Sequence, residues 1–215
     1  MTNPVSRTYI INKLISDNML NSYLEIGVSN PHRNFLSVRC ARKTSVDPCI
    51  ECEFFSQEAI EQFKPFINHQ VTSDEFFARN TESFDIVFID ADHSYENSLR
   101  DLNNALKTIP TGGFVVLHDA MPFDFDCTQW SNFEKGLCYN GEVWKTIVSA
   151  IRAGGSSLLI GTFPYDCGVA VVKKLSGNVP EIKALDLDFY KDYSIRALNP
   201  IFDFAIFRNK KVSYF

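Results

Sequence analysis

Two short stretches collect the side chains best suited to chemistry. The first holds Asp90, Asp92 and His93, within FDIVFIDADHSY at 84–95; the second holds His118 and Asp119, closing GGFVVLHD at 112–119. Carboxylates accept hydrogen bonds and hold cations, and histidine takes and returns a proton near neutral pH. An acid beside a histidine, met twice, is therefore a candidate for proton transfer from a substrate, for cation binding, or for both. The bland reading is that Asp90 and Asp92 cap the next helix and His93 is a turn residue. Two further acids stand out upstream. Glu25 precedes Gly27 in SYLEIGV at 22–28, and Asp47 follows Glu25 by 22 residues. That interval matches the roughly 20 residues between a glycine turn and an acid that holds both ribose hydroxyls of a nucleotide cofactor. A surface acid ahead of Pro48 would give the same pattern.

The surrounding sequence supplies elements to position these groups. Ile86–Asp90 and Phe114–Leu117 are short apolar runs without polar alternation, as expected of parallel strands covered on both faces. Both stop on acids, where open α/β sheets bind ligands. Ser22–Val28, Thr44–Val46 and His69–Thr72 read as three earlier strands. Helices are expected over Pro4–Met19, Cys52–Phe66 (with Phe55, Ala59, Ile60 and Phe63 at helical spacing), from Phe76 onward, over Tyr95–Ile109, and from Val143 to Ile151. Ser73 and Asp74, just past the third strand, could meet a base edge or cap a helix. Ser157–Ile160 and Val169–Lys173 are joined too closely for a parallel crossover and predict an antiparallel hairpin. Met121–Tyr139 has no steady period, and its length and aromatic content (Phe123, Phe125, Trp130) suit a specificity loop or lid. Residues 1–175 are expected to form one domain with an N-terminal covering helix. Residues 176–215 are an aromatic-rich extension, with a helix near Phe189–Leu198, that packs on the domain or makes a contact between subunits of a homo-oligomer.

Composition narrows the class. A 215-residue chain with 45% apolar residues can bury a core without staples. A net charge of −5 argues against a nucleic-acid partner bound through a broad basic surface. No apolar run reaches the roughly 20 residues of a membrane span, and no secretion signal precedes the first helix. The six dispersed cysteines suit reduced thiols and a cytoplasmic location, and the single CxxC of Cys49 and Cys52 is read as chance spacing.

The order of these signals, three βα units, two more, then a hairpin, resembles the class I S-adenosylmethionine-dependent methyltransferases. The resemblance spans roughly residues 22–174. It rests on LEIGV at 24–28, SVD at 45–47, TSDEFF at 72–77, FIDADHSYE at 88–96, GGFVVLHD at 112–119 and NGEVWK at 140–145. Together they look like the branch of small-molecule and sugar O-methyltransferases. The resemblance implies a Rossmann-like three-layer α/β/α sandwich on a mostly parallel seven-stranded sheet with an antiparallel C-terminal hairpin. It implies S-adenosylmethionine as cofactor and a small-molecule or sugar acceptor. Residue by residue, it puts Glu25, Gly27 and Ser29 at the methionine end, Asp47 on the ribose, and Ser73 and Asp74 near the adenine. Asp90 borders the cofactor and the reaction centre, with His93 near the place of the general base. Asp90 and Asp119 match positions that bind a divalent cation such as Mg²⁺ in metal-dependent members. There are departures: Ser29 and Pro31 stand where glycine is frequent, leaving Asn30 to supply a left-handed turn. Ala120 stands where a further ligand is frequent, with Asp92 as its substitute. Two rival readings stay open, a degenerate cofactor-binding domain used for assembly and an NAD(P)-dependent oxidoreductase. The second lacks GxGxxG after the first strand.

Overall fold

A computed structural model describes residues 5–49, 61–123 and 126–187. Its frame is a seven-stranded sheet of β1 (Ser22–Ile26), β2 (Arg42–Val46), β3 (Ile67–His69), β4 (Ile86–Ile89), β5 (Phe114–Leu117), β6 (Leu158–Phe163) and β7 (Val169–Lys174). The spatial order is β3-β2-β1-β4-β5-β7-β6. β1 to β5 pair in parallel, and β7 runs antiparallel to both β5 and β6, so the expected hairpin is present. The chain winds outward from β1 to β3, then returns to place β4 on the other side of β1. This reversal makes a crevice at the C-terminal ends of β1 and β4.

Strand residues alternate between two cores, as the two-residue period demands. On one face, Leu24, Ile26, Val87, Ile89, Val115 and Leu117 pack with Leu99, Leu102, Leu106 and Ile147. These belong to α3 (Tyr95–Thr108) and α5 (Val143–Gly154); α2 (Ser73–Arg79) adds Phe76. On the other face, Tyr23, Ile86, Phe88, Phe114 and Val116 meet Ile10, Ile11, Leu14 and Ile15 of α1 (Arg7–Asn18). Each such side chain contributes on the order of 1.5–3 kcal/mol when fully buried. The three layers match the sandwich expected from the sequence.

Several boundaries move for local reasons. β1 ends at Ile26, and β3 precedes the expected His69–Thr72 because Thr72 is engaged elsewhere. Its hydroxyl accepts from Glu75 N while the Glu75 carboxylate accepts from Thr72 N, a reciprocal cap that starts α2. Residues 61–63 are helical and the chain turns at Lys64 and Pro65, as a proline requires. The expected helical positions Phe55, Ala59 and Ile60, Phe125 of the loop, and the helix near 189–198 lie outside the described residues. The 121–139 segment carries a short helix α4 (Trp130–Glu134), preceded by a 3-10 turn at Asp126–Thr128. After β7 the chain folds back over α3. Asn103 and Ile182 exchange hydrogen bonds of 2.9 Å, and Leu187 packs on Trp144 and Val148.

Candidate active site

The ladder hydrogen bonds continue one step past the strands. Gly27 N donates to Val46 O, Asp47 N to His69 O, Asp90 N to Ile26 O and His118 N to Ile89 O. Residues 27, 47, 90 and 118 are thereby held level on one rim, with Glu25 and Asp119 beside it. Gly27 has φ of 82°, and a Cβ there would lie 2.2 Å from the Asp90 carbonyl oxygen. Only glycine lets β1 and β4 close to this distance.

Three adjoining cavities open along the rim. The first, of about 430 Å³, is lined by Gly27, Ser29, Asp47, Ser73, Asp74, Asp90 and Asp92, and by Arg100 and Asp101 of α3. Asp47 accepts backbone hydrogen bonds from Ser29 N at 2.6 Å and Cys49 N at 2.7 Å, which fix its carboxylate while leaving lone pairs for further donors. Ser29 takes the left-handed conformation, φ 45°, whereas Asn30 is extended and accepts from His32 N, so the expected role of Asn30 falls to Ser29. Asp74 pairs with Arg100 at 2.7 Å. Asp101 is buried, its Oδ1 has no hydrogen-bond partner among the described residues, and burial pushes its pKa up to about 6.

The second cavity, of about 290 Å³, is lined by Arg7, Glu25, Arg33, Asn34, Asp90, His93, His118 and Asp119. Glu25 is buried, and burial pushes its pKa up to about 8 against hydrogen bonds from Tyr23 Oη and Asn34 Nδ2. Behind it lies an ion network. Asp90 Oδ2 accepts from Arg7 Nη1 at 2.5 Å, and Asp90 Oδ1 lies 3.3 Å from His118 Nδ1. His118 Nδ1 is 2.8 Å from Asp119 Oδ2, and its Nε2 lies 3.4 Å from Asp166 Oδ1. Arg7 also bonds Asp166 through its backbone N and its guanidinium. Asn140 Nδ2 donates to Asp119 Oδ1 at 2.7 Å. Burial opposes charge on His118, but the carboxylates of Asp119, Asp166 and Asp90 outweigh it and push the imidazolium up to about 12. Burial would raise Asp90, yet His118, His93 and Arg7 hold it far below the usual carboxylate range.

His93 stands between this network and the third cavity, of about 540 Å³, whose aromatic lining includes Trp130, Phe133 and Tyr139. His93 Nε2 lies 3.3 Å from Asp119 Oδ2 and 3.7 Å from Asp90 Oδ1, while its buried Nδ1 has no hydrogen-bond partner among the described residues. Burial lowers its pKa, but Asp90 and Asp119 more than offset this and raise it. Gly141 and Glu142 grip its backbone: Glu142 N donates to His93 O at 2.7 Å, and a Cβ on Gly141 would lie 2.5 Å from that oxygen.

The structure thus brings together Asp90, His93 and Asp119, with ligand atoms all within 4.8 Å of one another. Asp92 is not among them. Its carboxylate accepts from Ser94 N at 2.7 Å and lines the first cavity. Arg7, His118, Asn140 and Asp166 are the members that sequence reasoning misses or places elsewhere. By spacing alone, Arg7 belongs to a polar helix face, His118 is a packed or substrate-lining side chain, and Asn140 is a turn residue. Only the NGEVWK motif points toward one of them.

The strand order and the mixed sheet give the Rossmann-like fold of the class I S-adenosylmethionine-dependent methyltransferases. Residues 26–120 match the family described as a methyltransferase domain. No curated protein matches the chain. Among solved structures it is similar to the O-methyltransferase from Bacillus cereus in complex with S-adenosylhomocysteine (16% identity, TM-score 0.53, covering 81% of this chain and 84% of that one). It is also similar to a proposed caffeoyl-CoA O-methyltransferase from Staphylococcus aureus (17%, 0.56, 79% and 84%). A third likeness is to the N-methyltransferase NodS from Bradyrhizobium japonicum (15%, 0.50, 79% and 95%). At such identities these likenesses show the fold.

Proposed function

We propose that this protein transfers the methyl group of S-adenosylmethionine to a hydroxyl of a small molecule or sugar, with His93 taking the proton. The observation that carries the reading is that His93, its Nε2 beside Asp119 and Asp90, lines both the Glu25 cavity and the aromatic cavity, one step from the cofactor cleft. The residues fit the cofactor. Asp47 would hold the ribose hydroxyls, Ser73 and Asp74 would border the adenine end, and the Asp101 carboxyl beside them would face its amino group. Gly27 and Ser29 give the backbone approach at the methionine end, where Arg33 offers a cation to a carboxylate. The bound cofactor supplies an electrophilic methyl on a sulfonium. The protein aligns the acceptor oxygen and removes its proton; alignment contributes up to about 7–11 kcal/mol in the best cases, and a general base typically about 10²–10⁴ in rate.

A divalent cation is a poorer fit. Each oxygen of Asp90 and Asp119 already faces a protein donor: Arg7, His118 or Asn140. A cation on these oxygens would sit against a guanidinium and an imidazolium. In this reading Arg7 and His118 neutralise the carboxylates themselves, and no step runs through a metal.

The test measures transfer of labelled methyl to a panel of hydroxyl compounds, with cofactor binding followed by thermal unfolding. S-adenosylmethionine at 100 times its dissociation constant should stabilise the fold by about 2.7 kcal/mol, while NADH should not. His93→Ala should lose at least about 10² in rate with cofactor binding intact, and EDTA should leave the wild-type rate unchanged. Unaltered transfer in His93→Ala would remove the proposed base; loss of transfer on chelation would restore the cation. Binding without turnover on any acceptor would favour the assembly-domain alternative.

A further inference from the structure

The third cavity is not accounted for by the cofactor. Among the described residues it shares only Ala91 and Asp92 with the cofactor cleft, and His93 lies in its wall. Its outer side is an aromatic cluster on and around α4. Trp130 and Phe133 lie 4.5 Å apart between ring centroids, with Tyr139 at 5.6 Å from Trp130 and 5.7 Å from Phe133. Tyr139 in turn stacks on the His93 ring at 5.5 Å and 18°. Trp130 is 57% exposed, Phe133 54% and Leu137 59%. Three large apolar side chains left open to water around a cavity that ends on a base call for a partner surface that is itself apolar and flat.

Carboxylates stand at the cavity, and His93 in its wall is already paired with Asp90 and Asp119. Asp92 is in the wall, and Ser94, His93 and Asn97 hold its carboxylate below its ordinary pKa although burial opposes this. Glu134 accepts from Trp130 Nε1 at 3.1 Å. Among the described residues, no lysine or arginine belongs to the lining. An anionic group would meet the negative faces of the rings and these acids, and the charge of His93 is already engaged by Asp90 and Asp119.

We infer that this cavity is the acceptor site, and that it selects a ring-bearing hydroxyl compound without negative charge, excluding acceptors that carry a phosphate, carboxylate or coenzyme A group. This rests on the methyltransferase reading above and deepens it. A neutral aromatic ring and the apolar face of a sugar share the required chemistry: both lay a flat C–H or π surface on Trp130 and Phe133 and bring a hydroxyl toward His93.

A matched pair of probes tests it. 3,4-Dihydroxybenzamide and 3,4-dihydroxybenzoate are matched in shape but differ in charge, an amide NH₂ replacing one carboxylate oxygen, and can be titrated into the S-adenosylhomocysteine-saturated protein, read by tryptophan fluorescence. Methyl glucoside serves as the sugar arm. The inference expects the amide to bind at least about tenfold more tightly than the carboxylate. Trp130→Ala should weaken amide binding by a similar factor, measured calorimetrically, and leave S-adenosylhomocysteine binding unchanged. Leu137→Lys should narrow the preference. Quenching by methyl glucoside in place of the amide would support the sugar source of the same chemistry. Equal or tighter binding of the carboxylate, or full amide binding by Trp130→Ala, would overturn the inference. Because all arms start from cofactor-loaded protein, failure to load identifies an error in the methyltransferase reading instead.

Discussion

At the residue scale, the site depends on how His93 and its neighbours share protons. Asp90 and Asp119 favour the imidazolium of His93, so its pKa lies above the ordinary 6.5. A base must be neutral to accept a proton. The rate should therefore be low where His93 is protonated and rise as pH passes its raised pKa, giving an acid limb above 6.5 in kcat/KM. Asp119→Asn keeps the shape but removes one charge, so the limb should move to lower pH. A limb unmoved by that substitution would assign the proton transfer to another group. His118 is no rival for this role. Its three carboxylate neighbours hold its proton up to about 12, well outside the working range of a base at neutral pH.

At the element scale, the segment 140–142 links the loop before α5 to both reacting groups. Asn140 holds Asp119, Gly141 allows close approach, and Glu142 N binds His93 O. Gly141→Ala would place a methyl 2.5 Å from His93 Cβ at φ 60°, a conformation costing about 1–2 kcal/mol without glycine. A displacement near 1 Å at a reacting group can cost about 10²-fold. We expect kcat to fall by that order while cofactor affinity, set across the cleft by Asp47, holds; a normal kcat would show that the loop does not position His93. The sequence showed the strands and their terminal acids plainly, because buried parallel strands are written as apolar runs and the rim residues follow them directly. It hid Arg7 and Asp166. These sit 159 positions apart and meet only because α1 is laid on one face of the sheet while the β6–β7 turn curls back to the same rim. Nothing in local spacing encodes that meeting. Thr72 is a milder case: β-branched and next to a strand, it reads as strand until Glu75 is recognised as its capping partner.

At the scale of the whole molecule, two sets of acids, one half-buried and one fully buried, pull stability in opposite directions with pH. Asp90 and Asp166 are held below the ordinary carboxylate range, by His118 and Arg7 acting against burial. Their contribution is present above the unfolded value and is lost as pH falls. Glu25 behaves the other way. Burial raises it to about 8 from an ordinary 4.5, so between those values the folded state keeps a proton that the unfolded chain has released. Stability must then decline as pH rises through that interval, with a slope of about 1.4 kcal/mol per pH unit and a total of a few kcal/mol. Asp101, pushed up to about 6, adds to the same decline at its lower end. The melting temperature should accordingly be highest under mildly acidic conditions and fall between about pH 5 and pH 8. Glu25→Gln, which cannot ionise yet still offers an oxygen to Tyr23 and Asn34, should lose most of that fall, so its melting temperature gains on the wild type as pH is raised. Parallel curves for the two proteins across that range would mean that Glu25 is ionised in the folded state and that its cavity carries one more negative charge than a protonated Glu25 would leave there.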